Sequence, residues 1–248
     1  MSEQKRKPLK RSTRGQTALV VKTLGKRIAA GEIKPGETLP VEQELARSLN
    51  VGRNSLREAI KILSAKGMIS SAPRSGTKVR SPEDWNMLDP DLLEWHADPN
   101  IASPQFMLSL TEMRRMLEPE ASRLAARRAT REDVAKILAA YERMEQFKEG
   151  EVDVQADIDF HTSILTATHN PFLANFRHCV VTFLNAHFRY ASTDVMATAS
   201  NLALHRKIAW AIAAGKEDEA FDATAELLEI NREKIETELA SLQPDQSS

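Results

Sequence analysis

Three side chains in the second half of the chain are of types that hold divalent metals: Asp157, His161 and His205. Asp157 and His161 stand four residues apart, so on a helix both project from one face. His205 follows on a later helical stretch. A carboxylate with imidazoles suits zinc, nickel or manganese. The same spacing equally suits an Asp–His hydrogen bond at a helix surface. Arg114 is notable for its charge. It follows Leu110 by four and precedes Leu117 by three, on the edge of an apolar stripe. A guanidinium stays protonated, so even partial burial demands an anion. Two anions are open: an internal carboxylate such as Glu118, or a carboxylate carried by a ligand. His187, on one face with Phe183 and Tyr190, could point into the same pocket or be a buried histidine satisfied by a neighbour.

A second set of residues suits nucleic acid. The run Gly52-Arg53-Asn54-Ser55-Leu56-Arg57 opens a short helix with a polar face. Arginine pairs bidentately with guanine, and Asn or Ser reaches bases or phosphates. A helix N-terminus itself favours a phosphate. Arg74, at the tip of an expected hairpin, could enter the minor groove, and Gly76 would let that hairpin approach the DNA backbone. The plain alternative for Arg53 and Arg57 is a solvated helix face. Charge distribution favours DNA: residues 1–80 hold 18 Lys+Arg against 6 Asp+Glu, leaving 16 and 29 of the totals of 34 and 35 for the rest. A basic half beside an acidic one suggests a polyanion-binding module joined to one with other work.

The elements that must position these residues follow from periodicity and punctuation. Residues 1–14 are Lys/Arg-rich without a period and read as a basic flexible arm. Leu19, Val21, Leu24 and Ile28 recur at helical spacing up to Gly31. After the turn at Lys34-Pro35-Gly36, two short helices carry Leu45 and Leu49, then Leu56, Ile60 and Leu63. Two short runs flank Pro73-Arg74-Ser75-Gly76 and read as a β-hairpin. Three helices plus a β-hairpin over 15–80 predict a winged helix-turn-helix. Residues 81–102, punctuated by Pro82, Pro90 and Pro99, read as a linker holding a short helix over Asp91–His96. Residues 103–240 carry helical stripes, one of them through Phe172, Phe176, Cys179, Phe183 and Tyr190. They predict an all-α bundle of about six helices. The fold class expected is therefore mainly α. A single cysteine, Cys179, excludes an intrachain disulfide. No apolar run approaches a membrane span, and the reading is of a cytoplasmic protein that is not an enzyme.

Two resemblances sharpen this. Gly31-Glu32-Ile33-Lys34-Pro35-Gly36, Leu39-Pro40, Glu42, Leu45-Ala46, Val51-Gly52-Arg53, Leu56-Arg57-Glu58-Ala59 and Gly76-Thr77-Lys78-Val79 resemble the signature of GntR family regulators. That resemblance implies a homodimer on a palindromic double-stranded operator, with Arg53, Asn54, Ser55 and Arg57 at the DNA. Many members carry Arg where this chain has Gln43, which implies a weaker contact there. Residues 103–235 resemble the FCD domain of the FadR-like subfamily, through Glu112-Met113-Arg114, Leu117-Glu118-Pro119, Asp157 to His161, Asn170-Pro171-Phe172-Leu173 and His205. There the resemblance implies that Asp157, His161 and His205 bind a metal and Arg114 an effector carboxylate. The usual fourth histidine is replaced by Leu227. The stretch from Trp85 to Trp95 is similar to the galactonate-responsive repressors of this subfamily. It implies a sugar acid as effector, its carboxylate on Arg114 and its hydroxyls on the metal or on Asp157, His161 and His205. The function expected is a repressor of sugar-acid catabolism released by its effector. Alternatives are a lactate-like carboxylate, a response to metal alone, or a metalloenzyme.

Overall fold

The computed structural model describes residues 13–98, 100–101, 103–146, 153–190 and 199–242. The chain divides into two compact units, Met1–His96 and Ala97–Ser248. Most of the expected basic arm lies outside the described residues. Thr13 and Arg14 are already helical and open α1.

The first unit runs α1 (Thr13–Ala29), α2 (Glu42–Ser48), α3 (Arg53–Ala65), β1 (Ile69–Ala72), β2 (Gly76–Val79), a 3-10 turn (Pro82–Asp84) and α4 (Pro90–His96). α3 buries Leu56, Ala59 and Leu63 against α1 and leaves Arg53, Asn54 and Arg57 exposed, as a helical period requires. The connection from α2 is tight because Asn50 takes a left-handed φ of 52°, which its short polar side chain tolerates. The strands pair antiparallel from Ile69 opposite Val79 to Ala72 opposite Gly76.

The segment read as a linker does more than connect. Trp85, Leu92 and Trp95 belong to the core of the first unit. Trp95 packs flat against α1 at Gly25, where a Cβ would lie 2.1 Å from the indole. Lys66, after α3, holds Asp89 at 2.6 Å and Asp91 at 2.8 Å. α4 is thereby fixed to the rest of the first unit by an apolar contact and by charge.

The second unit comprises α5 (Pro104–Arg128), α6 (Arg131–Glu145), α7 (Val154–Ala167), α8 (Pro171–Asn175), α9 (Arg177–Tyr190), α10 (Ala199–Ala213) and α11 (Glu217–Leu242). α11 lies along α5, α6 along α7, and α10 meets α5, α6 and α11 around a core that includes Ile137, Phe160, Ile208 and Leu227. Helix starts are set by side chains that accept from orphan N–H groups: Ser103 for α5, a Thr130–Asp133 capping box for α6 and Asp153 for α7. The described residues hold one helix more than the stripes suggest, because the Phe172–Tyr190 stripe is broken. Phe172 sits on the five-residue α8 and is 79% exposed, whereas Cys179 and Phe183 on α9 are buried. The side chain of Tyr190 lies outside the described residues. No helix among the described residues is long and apolar enough to cross a membrane.

Candidate metal centre and nucleic-acid interface

The metal-type residues meet. Asp157 and His161 on α7 and His205 on α10 are all buried, each offering one donor atom within 4.8 Å of the others. Their hydrogen bonds decide which atoms are free. His205 Nδ1 lies 2.8 Å from the carbonyl of Asn201, so Nδ1–H donates there and the lone pair is on Nε2. That Nε2 stands 3.2 Å from Asp157 Oδ1, and neither atom has a hydrogen-bond partner. Two acceptors thus face each other in a buried site. His161 Nδ1 donates to Glu118 Oε2 at 2.8 Å, and its Nε2 lies 3.5 Å from Asp157 Oδ1. Each imidazole is therefore anchored through Nδ1 and turns Nε2 towards one carboxylate oxygen, as histidines that bind metal do. Phe160, fully buried, packs edge-on against both rings and keeps water away.

Charge completes the case for a cation. Arg114 is 2% exposed, and its Nε and Nη2 donate to Glu118 at 2.5 and 3.3 Å. Its guanidinium also lies 4.4 Å over the Phe183 ring. One buried cation and the two buried carboxylates of Glu118 and Asp157 leave a net negative charge while the histidines are neutral. Burial would raise both carboxyls. Arg114 and His161 instead hold Glu118 down at about 2, and His161 holds Asp157 far below the usual range. His161 feels the reverse: burial would lower it, but Glu118 and Asp157 push it up to about 9. The cluster draws in one positive charge, and the convergent Asp157 Oδ1 and His205 Nε2 fit a divalent ion. Leu227, at the position where a fourth histidine is usual, is fully buried in the apolar core and offers no donor.

The DNA-type residues are more dispersed in role. Arg53 and Asn54 are exposed in the first turn of α3. Arg57 is exposed one turn on, with its Nε 2.9 Å from Glu42 Oε2 of α2. Ser55 departs from the expectation of a DNA contact. It is 1% exposed, and its hydroxyl faces Gln16 Oε1 at 3.2 Å and the Thr13 carbonyl at 3.4 Å on α1. The helical period turns it inward beside Leu56, where it ties α1 to α3. Arg74 stands exposed at the hairpin tip with φ 66°, and Gly76 has φ 73°. A Cβ on Gly76 would also lie 3.0 Å from the Thr38 side chain, which is a local reason for glycine there.

The family model for bacterial regulatory proteins, gntR family, matches residues 16–79, and that for the FCD domain matches residues 109–230. The chain belongs to the GntR family. The FCD domain marks the FadR-like subfamily. The chain is 36% identical to the uncharacterized HTH-type transcriptional regulator YieP of Escherichia coli strain K12, over 85% of this chain and 91% of that one. It is 37% identical to the galactonate operon transcriptional repressor of the same strain, over 65% and 70%. The solved structure of Lar, which controls the agr system of Listeria monocytogenes, superposes with a TM-score of 0.56 at 21% identity, covering 97% of this chain and all of that one; the likeness is one of fold. These relatives are regulators of transcription, and this GntR member is one rather than an enzyme.

Within that frame, the four residues expected at the effector site are brought together, with Glu118 joining Arg114 to His161. Glu118 is the centre of the cluster, whereas the sequence offered it merely as a possible counter-ion for Arg114. Its signal was present as the i, i+4 spacing from Arg114. Asn201, whose backbone carbonyl fixes the His205 tautomer, left no signal in the sequence.

Proposed function

We propose that this regulator represses sugar-acid catabolism and leaves its operator when an aldonate such as galactonate binds the second unit. Arg53, Asn54 and Arg57 read base edges in the major groove, and Arg74 and Gly76 bring the wing to the DNA backbone. A homodimer presents two such heads to a palindrome. Arg114 receives the effector carboxylate, and Asp157, His161 and His205 hold a divalent ion. When bound, that ion would supply a Lewis acid for the ligand's oxygens. The observation that carries the sensing half is the pair of buried lone pairs, Asp157 Oδ1 and His205 Nε2, facing each other 3.2 Å apart. A similarity to the galactonate operon repressor supports the sugar-acid choice.

A second reading, a response to metal alone, is favoured by one observation: Glu118 already neutralises Arg114. One experiment separates them. Operator DNA selected by the protein from a random pool is followed by fluorescence anisotropy at fixed salt. Galactonate should weaken binding in the native protein, because a ligand shifts an equilibrium only by binding its two states unequally. Arg114→Ala should bind DNA normally and ignore galactonate. Arg57→Ala should lose about 1–3 kcal/mol of DNA binding with ligand binding intact. Release by zinc alone, with galactonate inert, would establish the second reading.

A further inference from the structure

Five buried titratable side chains of the second unit, Arg114, Glu118, His161, Asp157 and His205, form one chain across three helices. Arg114 and Glu118 lie one turn apart on α5, joined at 2.5 and 3.3 Å. The same carboxylate takes His161 Nδ1–H from α7 at 2.8 Å. His161 and His205 both turn to Asp157 Oδ1, and His205 is tied back to Asn201 on α10. Glu118 touches both the arginine and a metal-type ligand, and its side chain is 5% exposed.

We propose that Glu118 is a positioning residue that sets both ends of the site at once. On one side its Oε2 commits His161 to the tautomer with hydrogen on Nδ1, so that the Nε2 lone pair is presented beside Asp157. On the other, it occupies Nε and one hydrogen of Nη2 on Arg114. A guanidinium has five N–H donors in a rigid fork. With its Nε side engaged, the fork keeps its Nη1/Nη2 end for a second carboxylate, which binds there without displacing Glu118. The carboxylate that makes Arg114 tolerable in the core is thus the one that aims it. This rests on the reading of Asp157, His161 and His205 as a metal centre. It adds a residue that donates nothing to the ion and governs a residue that does.

The probe is zinc alone, titrated into the full-length protein against a chromophoric chelator. Outer partners of metal-bound histidines typically alter affinity 10- to 100-fold. Glu118→Gln, which keeps shape but exchanges the charged acceptor for a weak one, should lose zinc affinity within that range. Its 15N NMR spectrum in the metal-free state, recorded at about pH 10 where the ring is neutral, should show His161 no longer confined to the Nδ1–H tautomer. Glu118→Gln strands a buried guanidinium, so the double variant Arg114→Met/Glu118→Gln, which removes both charges, serves if the single one does not fold. It should show the same loss of zinc. A merely structural ion pair would move the melting temperature and leave zinc affinity and tautomer alone, and that result overturns the proposal. Asp157→Asn separates the two failures. If it binds zinc like the native protein, the metal centre itself is wrong. If it loses zinc while both Glu118 variants keep it, only the role of Glu118 falls.

Discussion

Adding a divalent ion should stabilise this protein, and the expected size follows from the site. Asp157 Oδ1 and His205 Nε2 are buried without hydrogen bonds and face each other at 3.2 Å. A buried polar atom left unsatisfied costs about 1–3 kcal/mol, and here two such atoms also repel. An ion that accepts both lone pairs removes that cost only in the folded state, so its binding free energy becomes folding free energy. At a free concentration one hundred times its Kd, a ligand stabilises by about 2.7 kcal/mol. For a domain of some 150 residues, each kcal/mol moves the melting temperature by about 2–4 °C. The second unit should therefore melt about 5–11 °C higher in zinc than in EDTA, by differential scanning fluorimetry with each unit's transition resolved. His205→Phe keeps a ring against Phe160 and deletes the lone pair, so most of the rise should vanish. A full rise in His205→Phe, or none in the native protein, would refute the argument that these two atoms await a cation.

Three further outcomes are expected. In EDTA, the second unit should lose stability as pH rises. His161 is raised to about 9 by Glu118 and Asp157, so its contribution is complete below its unfolded value near 6.5 and disappears as pH climbs through 9; a melting temperature constant from pH 6 to 10 contradicts this. Gly25→Ala should cost the first unit about 1–3 kcal/mol in urea unfolding, since the new methyl meets the Trp95 indole, and Trp95→Leu should restore much of the loss. Cys179, buried with its thiol pushed up to about 11 by desolvation, should react with a disulfide reagent only on unfolding; rapid reaction of the native protein would contradict its placement.

What the sequence carried well was periodicity. The stripe Leu56, Ile60 and Leu63 lies on the inner face of α3, with Leu56 and Leu63 fully buried and Ile60 half-buried. Where it carried less, the reason is that a period does not state which side of an element faces the core. Ser55 lies in a polar run that suggests a DNA contact, but it points to α1 because Leu56 and Ala59 fix the helix phase. The sequence puts Arg114 on the edge of a stripe of Leu110, Leu117, Ala121 and Leu124. The buried face instead runs Leu110, Arg114, Glu118, Ala121 and Ala125, with both charges in its middle. Hydrophobicity assigns charged residues to the outside and cannot see that two of them, one turn apart, neutralise each other. Phe172 errs the other way: it is apolar and in phase, yet the break after α8 leaves it exposed.

The same blindness bears on how such a site works as a sensor. A buried ion pair seldom adds net stability over well-packed apolar residues, and losing one partner costs several kcal/mol. The Arg114–Glu118 pair is thus a weak contributor to the fold and a sensitive one to its surroundings. The cluster around it is short of positive charge, a lack met by a proton on His161 in the metal-free protein. Proton and metal then compete for the same histidine. Below the pKa of His161 each bound ion must expel a proton, and apparent zinc affinity should fall about tenfold per pH unit. A ligand carboxylate arriving at Arg114 adds negative charge to the same cluster, which favours whichever cation is present. Carboxylate and metal should therefore bind with positive cooperativity, and reciprocally: each should tighten the other by the same factor. Zinc titrations with and without saturating galactonate measure that factor directly, and a value of one would mean that the two ends of the cluster do not communicate.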